Sequence, residues 1–99
     1  MKLRPRTDRN HAEIVEALRR AGCEVVSLAA IAHGCPDLLV ARAGVNTLLE
    51  IKDGSKRPSQ RKLTPEQQVF HARWPGPCVV VESIEQALKA VGLKGESNG

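Results

Sequence analysis

The sequence predicts an α/β domain, a small mixed β-sheet flanked by helices with its elements in the order α-β-β-β-α-β-α. Three observations lead there. Two apolar runs, 37–42 and 47–52, stand either side of Gly44 and Asn46 and read as a β-hairpin. Segments with apolar residues at helical spacing open and close the chain. Between them, Thr64-Pro65-Glu66-Gln67 has the form of a helix start and is followed by the β-branched run Cys78–Val81.

In chain order, Asp8 or Asn10 caps a first helix running to about Ala21, with Ile14, Val15 and Leu18 on its apolar face, Arg19 and Arg20 near its end and Gly22 as its stop. Glu24–Leu28 reads as a strand. A small-residue loop through Gly34 then delivers the chain to Pro36, where a proline is tolerated because its missing donor falls outside the ladder. The hairpin follows, and Asp53-Gly54 turns out of it into a basic loop rich in Ser and Pro, a composition that orders on a polyanion. Thr64 caps the second helix with Pro65 in its first position, and Trp74-Pro75-Gly76-Pro77 breaks it. After the strand Cys78–Val81, Ser83 caps a last helix with Gln86 in the box position and Ile84, Ala87, Leu88 and Val91 as its inner stripe, ended by Gly92. The 99 residues form one domain, residues 1–99, with a core of about 8–92, a basic arm 1–7, a polar tail 93–99 and no repeats. A chain of this size buries about two-thirds of its unfolded surface, so its stability is modest and dimerisation would add to it.

The chemistry gathers at the hairpin. With pairing centred near Gly44, Asp37 and Glu50 fall at or close to opposite positions. Side chains so opposed have Cβ atoms about 5 Å apart, and like charges there are destabilising. A cation between them removes the penalty. Alternation puts Lys52 on the face of Glu50, with Ile51 pointing to the other layer. The carboxylates of Asp37 and Glu50 and the backbone carbonyl of Ile51 make a donor set suited to a hard divalent ion such as Mg²⁺. The plainer alternative is a same-face Glu50–Lys52 ion pair with Asp37 ending a turn.

Pro36-Asp37 followed by Glu50-Ile51-Lys52 resembles the PD-(D/E)xK nuclease superfamily. Gly34-Cys35-Pro36-Asp37-Leu38-Leu39-Val40, Leu49-Glu50-Ile51-Lys52-Asp53-Gly54 and Leu63-Thr64-Pro65-Glu66-Gln67 narrow this to the small stand-alone VRR-NUC (virus-type replication-repair nuclease) proteins, many of them carried by bacteriophages. The resemblance runs from about Asp8 to Gly92 in matching order. It implies a restriction-endonuclease-like fold and a Mg²⁺- or Mn²⁺-dependent phosphodiesterase. Asp37 and Glu50 would bind the ion, Lys52 would position the attacking water or stabilise transition-state charge, and Gln67 would lie beside the site from a helix. The wider superfamily often adds an acidic residue from the first helix; Glu13 is the nearest candidate, with Glu16 or Asp8 as alternatives. Gln67 faces a competition between reaching back to the Thr64 amide and pointing at the site, with Gln68 as the fallback. The resembled proteins are similar to Holliday junction resolvases, which implies a homodimer acting on branched, four-way DNA.

Charge agrees with a polyanionic partner: the net charge is +4 and the pI about 9.3. Lys52, Lys56, Arg57, Arg61 and Lys62 stand against Asp53 in one run, and the arm adds Lys2, Arg4, Arg6 and Arg9 against Asp8. Lys56, Arg57, Arg61, Lys62 and Arg9 are therefore the candidate DNA contacts, through phosphates rather than bases. The two aromatics, Phe70 and Trp74, are expected in the core, leaving no stacking platform for single-stranded bases. Cys23, Cys35 and Cys78 form no C-x-x-C pair and point to a reducing compartment; Cys23 and Cys78 read as core thiols and Cys35 as near Asp37 without a nucleophilic role. His11, His33 and His71 make no zinc spacing. With no signal peptide, membrane span or nucleotide-binding loop, the chain is expected in the cytoplasm, phage-encoded in a bacterial host, without membrane or nucleotide partners. A general nickase or DNase, and a non-catalytic DNA-binding module, are the alternative functions.

Overall fold

The computed structural model describes residues 9–94. Its elements follow the expected order: α1 (Arg9–Arg20), β1 (Glu24–Ser27), β2 (Leu38–Arg42), β3 (Val45–Ile51), a 3₁₀ turn (Pro58–Gln60), α2 (Pro65–Arg73), β4 (Cys78–Val81) and α3 (Ile84–Ala90). The sheet runs β1-β2-β3-β4, antiparallel except for the parallel β3/β4 pair, so it is mixed. Among the described residues no helix is long and apolar enough to cross a membrane.

One face of the sheet makes the core. Leu38 and Val40 of β2, Leu49 and Ile51 of β3 and Val81 of β4 pack with Val25 of β1 against Ile14 and Leu18 of α1 and Ala87 of α3. Ile14, Leu18, Leu38, Val40 and Leu49 are fully excluded from solvent. The period of two sends Leu48 and Glu50 to the opposite face. There α2 reaches Glu50 through Gln67 and His71. Every β3 residue from Thr47 to Ile51 is buried, so the strand that carries the site is covered on both sides.

The hairpin turn is tighter than expected. Arg42 pairs with Val45, so Ala43 and Gly44 alone make the turn, at φ 51° and 81°, the left-handed values of a type I′ connection. Asn46, expected in the turn, lies within β3 opposite Ala41. The start of α1 also differs. Asp8 lies outside the described residues, and Asn10 sits in the first helical turn, where its amide bonds strand-end carbonyls instead of capping.

None of the residues of α2 is fully buried, and its first turn is closed by a capping box. Thr64 Oγ1 accepts the Gln67 N–H, Gln67 Oε1 accepts the Thr64 N–H, and Pro65 opens the first turn. Against that end lies Gly34 at φ 79°, where any Cβ would overlap the Glu66 carbonyl and the Gln67 nitrogen. Only glycine allows the loop to pass so close. Trp74 therefore does not enter the core: it caps α2, is 46% exposed and stacks on half-buried Phe70 at 5.2 Å. The basic loop is tied locally. Asp53 Oδ1 accepts from the Ser55 N–H and hydroxyl, and Arg61 bonds both the Lys56 carbonyl and Glu82.

Candidate active site

Extending the Leu38–Leu49 pairing by one step sets Asp37 opposite Glu50, as the hairpin reading required. Asp37 is fixed by its backbone: its N–H donates to the Leu49 carbonyl at 3.0 Å and its carbonyl accepts from Leu28 at 2.8 Å. Its Oδ2 accepts the Ile51 N–H at 2.7 Å. The amide of Ile51, rather than its carbonyl, is thus the group engaged by Asp37.

Glu50 is 3% exposed. Its Oε2 accepts from Gln67 Nε2 at 3.2 Å, while Oε1 is buried with no hydrogen-bond partner. Burial first, and then the charge of the neighbouring Asp37 carboxylate, push the Glu50 carboxyl up to about 8 against the pull of Lys52. Two carboxylates in one pocket and an orphaned oxygen describe a site short of positive charge. Lys52 supplies part of it. Its Nζ donates to Gln67 Oε1 at 2.9 Å, and its backbone N–H is anchored on the Val81 carbonyl.

Gln67 resolves its competition by doing both jobs. Its Oε1 has two lone pairs, one taken by the Thr64 N–H and one by Lys52 Nζ, and its Nε2 is left for Glu50. The capping box thereby orients the amide that links Glu50 to Lys52. Gln68 points elsewhere, to the Leu63 carbonyl.

A hard divalent ion fits this donor set. Asp37 and Glu50 offer carboxylate oxygens, one of them orphaned, and carboxylate, carbonyl and water are the ligands that Mg²⁺ and Mn²⁺ favour. Among the described residues no cluster of three or more His, Cys, Asp or Glu side chains forms a ligand set. The remaining positions would fall to water, backbone carbonyl and substrate phosphate, the usual balance for Mg²⁺.

The first helix does not deliver Glu13 here. Glu13 is exposed, and no hydrogen bond or ion pair ties it to the carboxylates; Glu16 pairs with Arg20 at 2.8 Å. The α1 residue that meets the strand ends is Asn10, whose Nδ2 donates to the carbonyls of Lys52 at 3.0 Å and Glu82 at 3.3 Å. Of the candidate DNA contacts, Lys56, Arg57 and Lys62 are exposed along the loop. Arg61 is instead committed to Glu82 at 3.2 Å, half-buried and bracing the loop. The Arg9 side chain, Lys2, Arg4 and Arg6 lie outside the described residues.

Two further residues join the site. His71, one helical turn beyond Gln67, places Nε2 3.9 Å from Glu50 Oε1, and burial followed by the Lys52 charge lowers its basicity. The i, i+4 step from Gln67 was its only signal in the sequence. Cys78 sits beside it, Sγ 3.5 Å from Nδ1, half-buried on the site face rather than in the core. Burial, then the charges of Glu50 and Asp37, raise the Cys35 thiol, the opposite of what activates a cysteine.

No protein-family model matches the chain, and no curated protein does. Among solved structures it is similar to one described as a VRR_NUC domain, with 29% identity and a TM-score of 0.60 over 84% of this chain and 90% of that one. The likeness takes in most of both chains, and Gln67 joins Glu50 to Lys52 of the motif that suggested it; together these support membership of the VRR-NUC family.

Proposed function

We propose that the chain is a Mg²⁺- or Mn²⁺-dependent endonuclease that hydrolyses DNA phosphodiester bonds, acting as a homodimer on branched DNA such as four-way junctions. The observation that carries this reading is the buried Glu50 carboxylate set opposite Asp37, with one oxygen orphaned and the other tied through Gln67 to Lys52. A binding module gains nothing from burying Glu50 beside Asp37 where a phosphate must come. Asp37 and Glu50, with the Ile51 carbonyl, would hold the ion, which when bound polarises the phosphoryl oxygen and acidifies a water. Glu50 would ligate the ion only as the carboxylate, so uptake of the ion near neutral pH releases a proton. Lys52 Nζ, held by Gln67 Oε1, is a preorganised positive charge for the developing negative charge on the phosphate. Lys56, Arg57 and Lys62 would follow the DNA backbone away from the cut.

Branched DNA and the homodimer rest on stoichiometry. One chain of this size holds one such site, and two symmetric cuts need two, most simply related by a two-fold axis. Labelled four-way junction, flap, linear duplex and single strand, incubated with Mg²⁺ at matched concentrations, test this directly. Symmetric cutting confined to the junction is expected; equal cutting of every substrate would leave a general nuclease, and a sedimenting monomer that still cuts the junction symmetrically would refute the dimer.

A further inference from the structure

α2 aims two side chains at Glu50, and only one of them completes its contact. Gln67 reaches Oε2 at 3.2 Å. His71, four residues later, brings Nε2 to 3.9 Å from Oε1, and these two atoms are both buried and both without a hydrogen-bond partner. Unpaired buried polar atoms are uncommon and costly, and two that face each other on rigid elements point to a contact the site is built to make. The other ring nitrogen is already engaged. Nδ1 lies 3.5 Å from Cys78 Sγ, and Cys78 is carried by β4 beside Leu48, two residues from Glu50 on the same sheet face.

The tautomer of the ring decides the direction of both contacts. A thiol donates its S–H, so an Nδ1 that accepts from Cys78 leaves the ring proton on Nε2, pointing at the orphaned oxygen. A shift of about 1 Å then brings donor and acceptor within hydrogen-bond range.

We propose that His71 is a positioning residue for Glu50: its Nε2–H holds Oε1 while Gln67 holds Oε2, and Cys78 sets which ring nitrogen carries the proton. This role rests on the reading above in which Glu50 is a metal ligand. An ionised carboxylate has about four acceptor sites, so both oxygens can be held from α2 and still ligate. The plane of the Glu50 carboxyl group is then fixed before the ion arrives, the part that hydrogen bonds to ligand side chains generally play and whose loss weakens metal affinity about 10–100-fold.

Calorimetric titration of Mn²⁺ into the wild-type chain, His71→Phe and His71→Gln tests this, together with long-range ¹H–¹⁵N spectra of the His71 ring in the metal-free wild type. Phe keeps the ring volume and loses both nitrogens; Gln restores a donor near Nε2. The expected result is a 10–100-fold loss of Mn²⁺ affinity in His71→Phe, recovery to within a few-fold in His71→Gln, and a ring protonated at Nε2. Wild-type affinity in His71→Phe, or a ring protonated at Nδ1 alone, would overturn the role of His71 and leave the metal site standing. A wild-type chain that takes up no Mn²⁺ would overturn the metal site and this role with it. If His71→Phe does not fold, the wild-type ring spectrum decides.

Discussion

Without metal, the contribution of Glu50 to the stability of this chain should fall as pH rises from about 5 to about 8, opposite in sign to that of His71, and Glu50→Gln should remove it. Glu50 has an ordinary value of 4.5 and is raised in the fold to about 8, first by burial and then by Asp37. Between those values the unfolded chain has released the proton that the folded chain still holds. The unfolded state therefore binds fewer protons, and the stability of the fold declines with rising pH. Below 4.5 the contribution is fully present; above 8 nothing more is lost. At about 1.4 kcal/mol per pH unit, the window sets a ceiling of about 5 kcal/mol. Even 2 kcal/mol would lower the melting temperature of a domain this size by about 8–16 °C. The assay is thermal unfolding followed by circular dichroism in EDTA from pH 5 to 9, for wild type and Glu50→Gln side by side. The two should converge at acid pH and separate toward pH 8, the variant being the more stable. Saturating Mn²⁺ should rescue wild type alone, by about 2.7 kcal/mol at a hundred times its Kd. Parallel pH profiles for the two proteins would refute the buried, unpaired carboxylate.

Other consequences are equally accessible. Gln67→Ala removes the capping box and the Glu50–Lys52 link together, so a loss of about 1 kcal/mol in thermal unfolding should accompany a fall in cleavage far larger than that stability change explains. Gly34→Ala places a Cβ against the Glu66 carbonyl at a positive φ, and chemical denaturation should show a loss of about 1–3 kcal/mol with α2 displaced. Replacing Lys56, Arg57 and Lys62 with Ala should weaken DNA binding and reduce the slope of log affinity against log salt by up to about 2.7, whereas Arg61→Ala should register in stability through loss of its Glu82 pairing.

The element order was legible because its punctuation is strong. Thr64-Pro65 and Ser83 cap helices where they stand, and Cys78–Val81 is a strand to the residue. The opposition of Asp37 and Glu50 follows from counting out from the hairpin turn, and a turn centred on Ala43-Gly44 preserves that count although Asn46 lies in β3 rather than in the turn. Residues that act across long sequence separations were not legible. Asn10 reaches Lys52 and Glu82, and His71 meets Cys78 and Glu50, through the docking of helices whose rotation no local pattern specifies. Glu13 was the natural acidic choice on α1, but the helix meets the strand ends one turn earlier. Arg61 and Lys62 look alike in the sequence, and only the position of Glu82 separates a structural arginine from a free lysine.

The central claim is that Asp37, Glu50 and Lys52 form a metal-dependent phosphodiesterase site. Cleavage of a labelled four-way junction in Mg²⁺ and in EDTA, by wild type and by a Lys52→Ala variant shown to be folded, tests it most directly. Cutting by wild type in Mg²⁺ alone, with none by the variant, is the expected result. Cutting that persists in EDTA or survives the loss of Lys52 Nζ would contradict it.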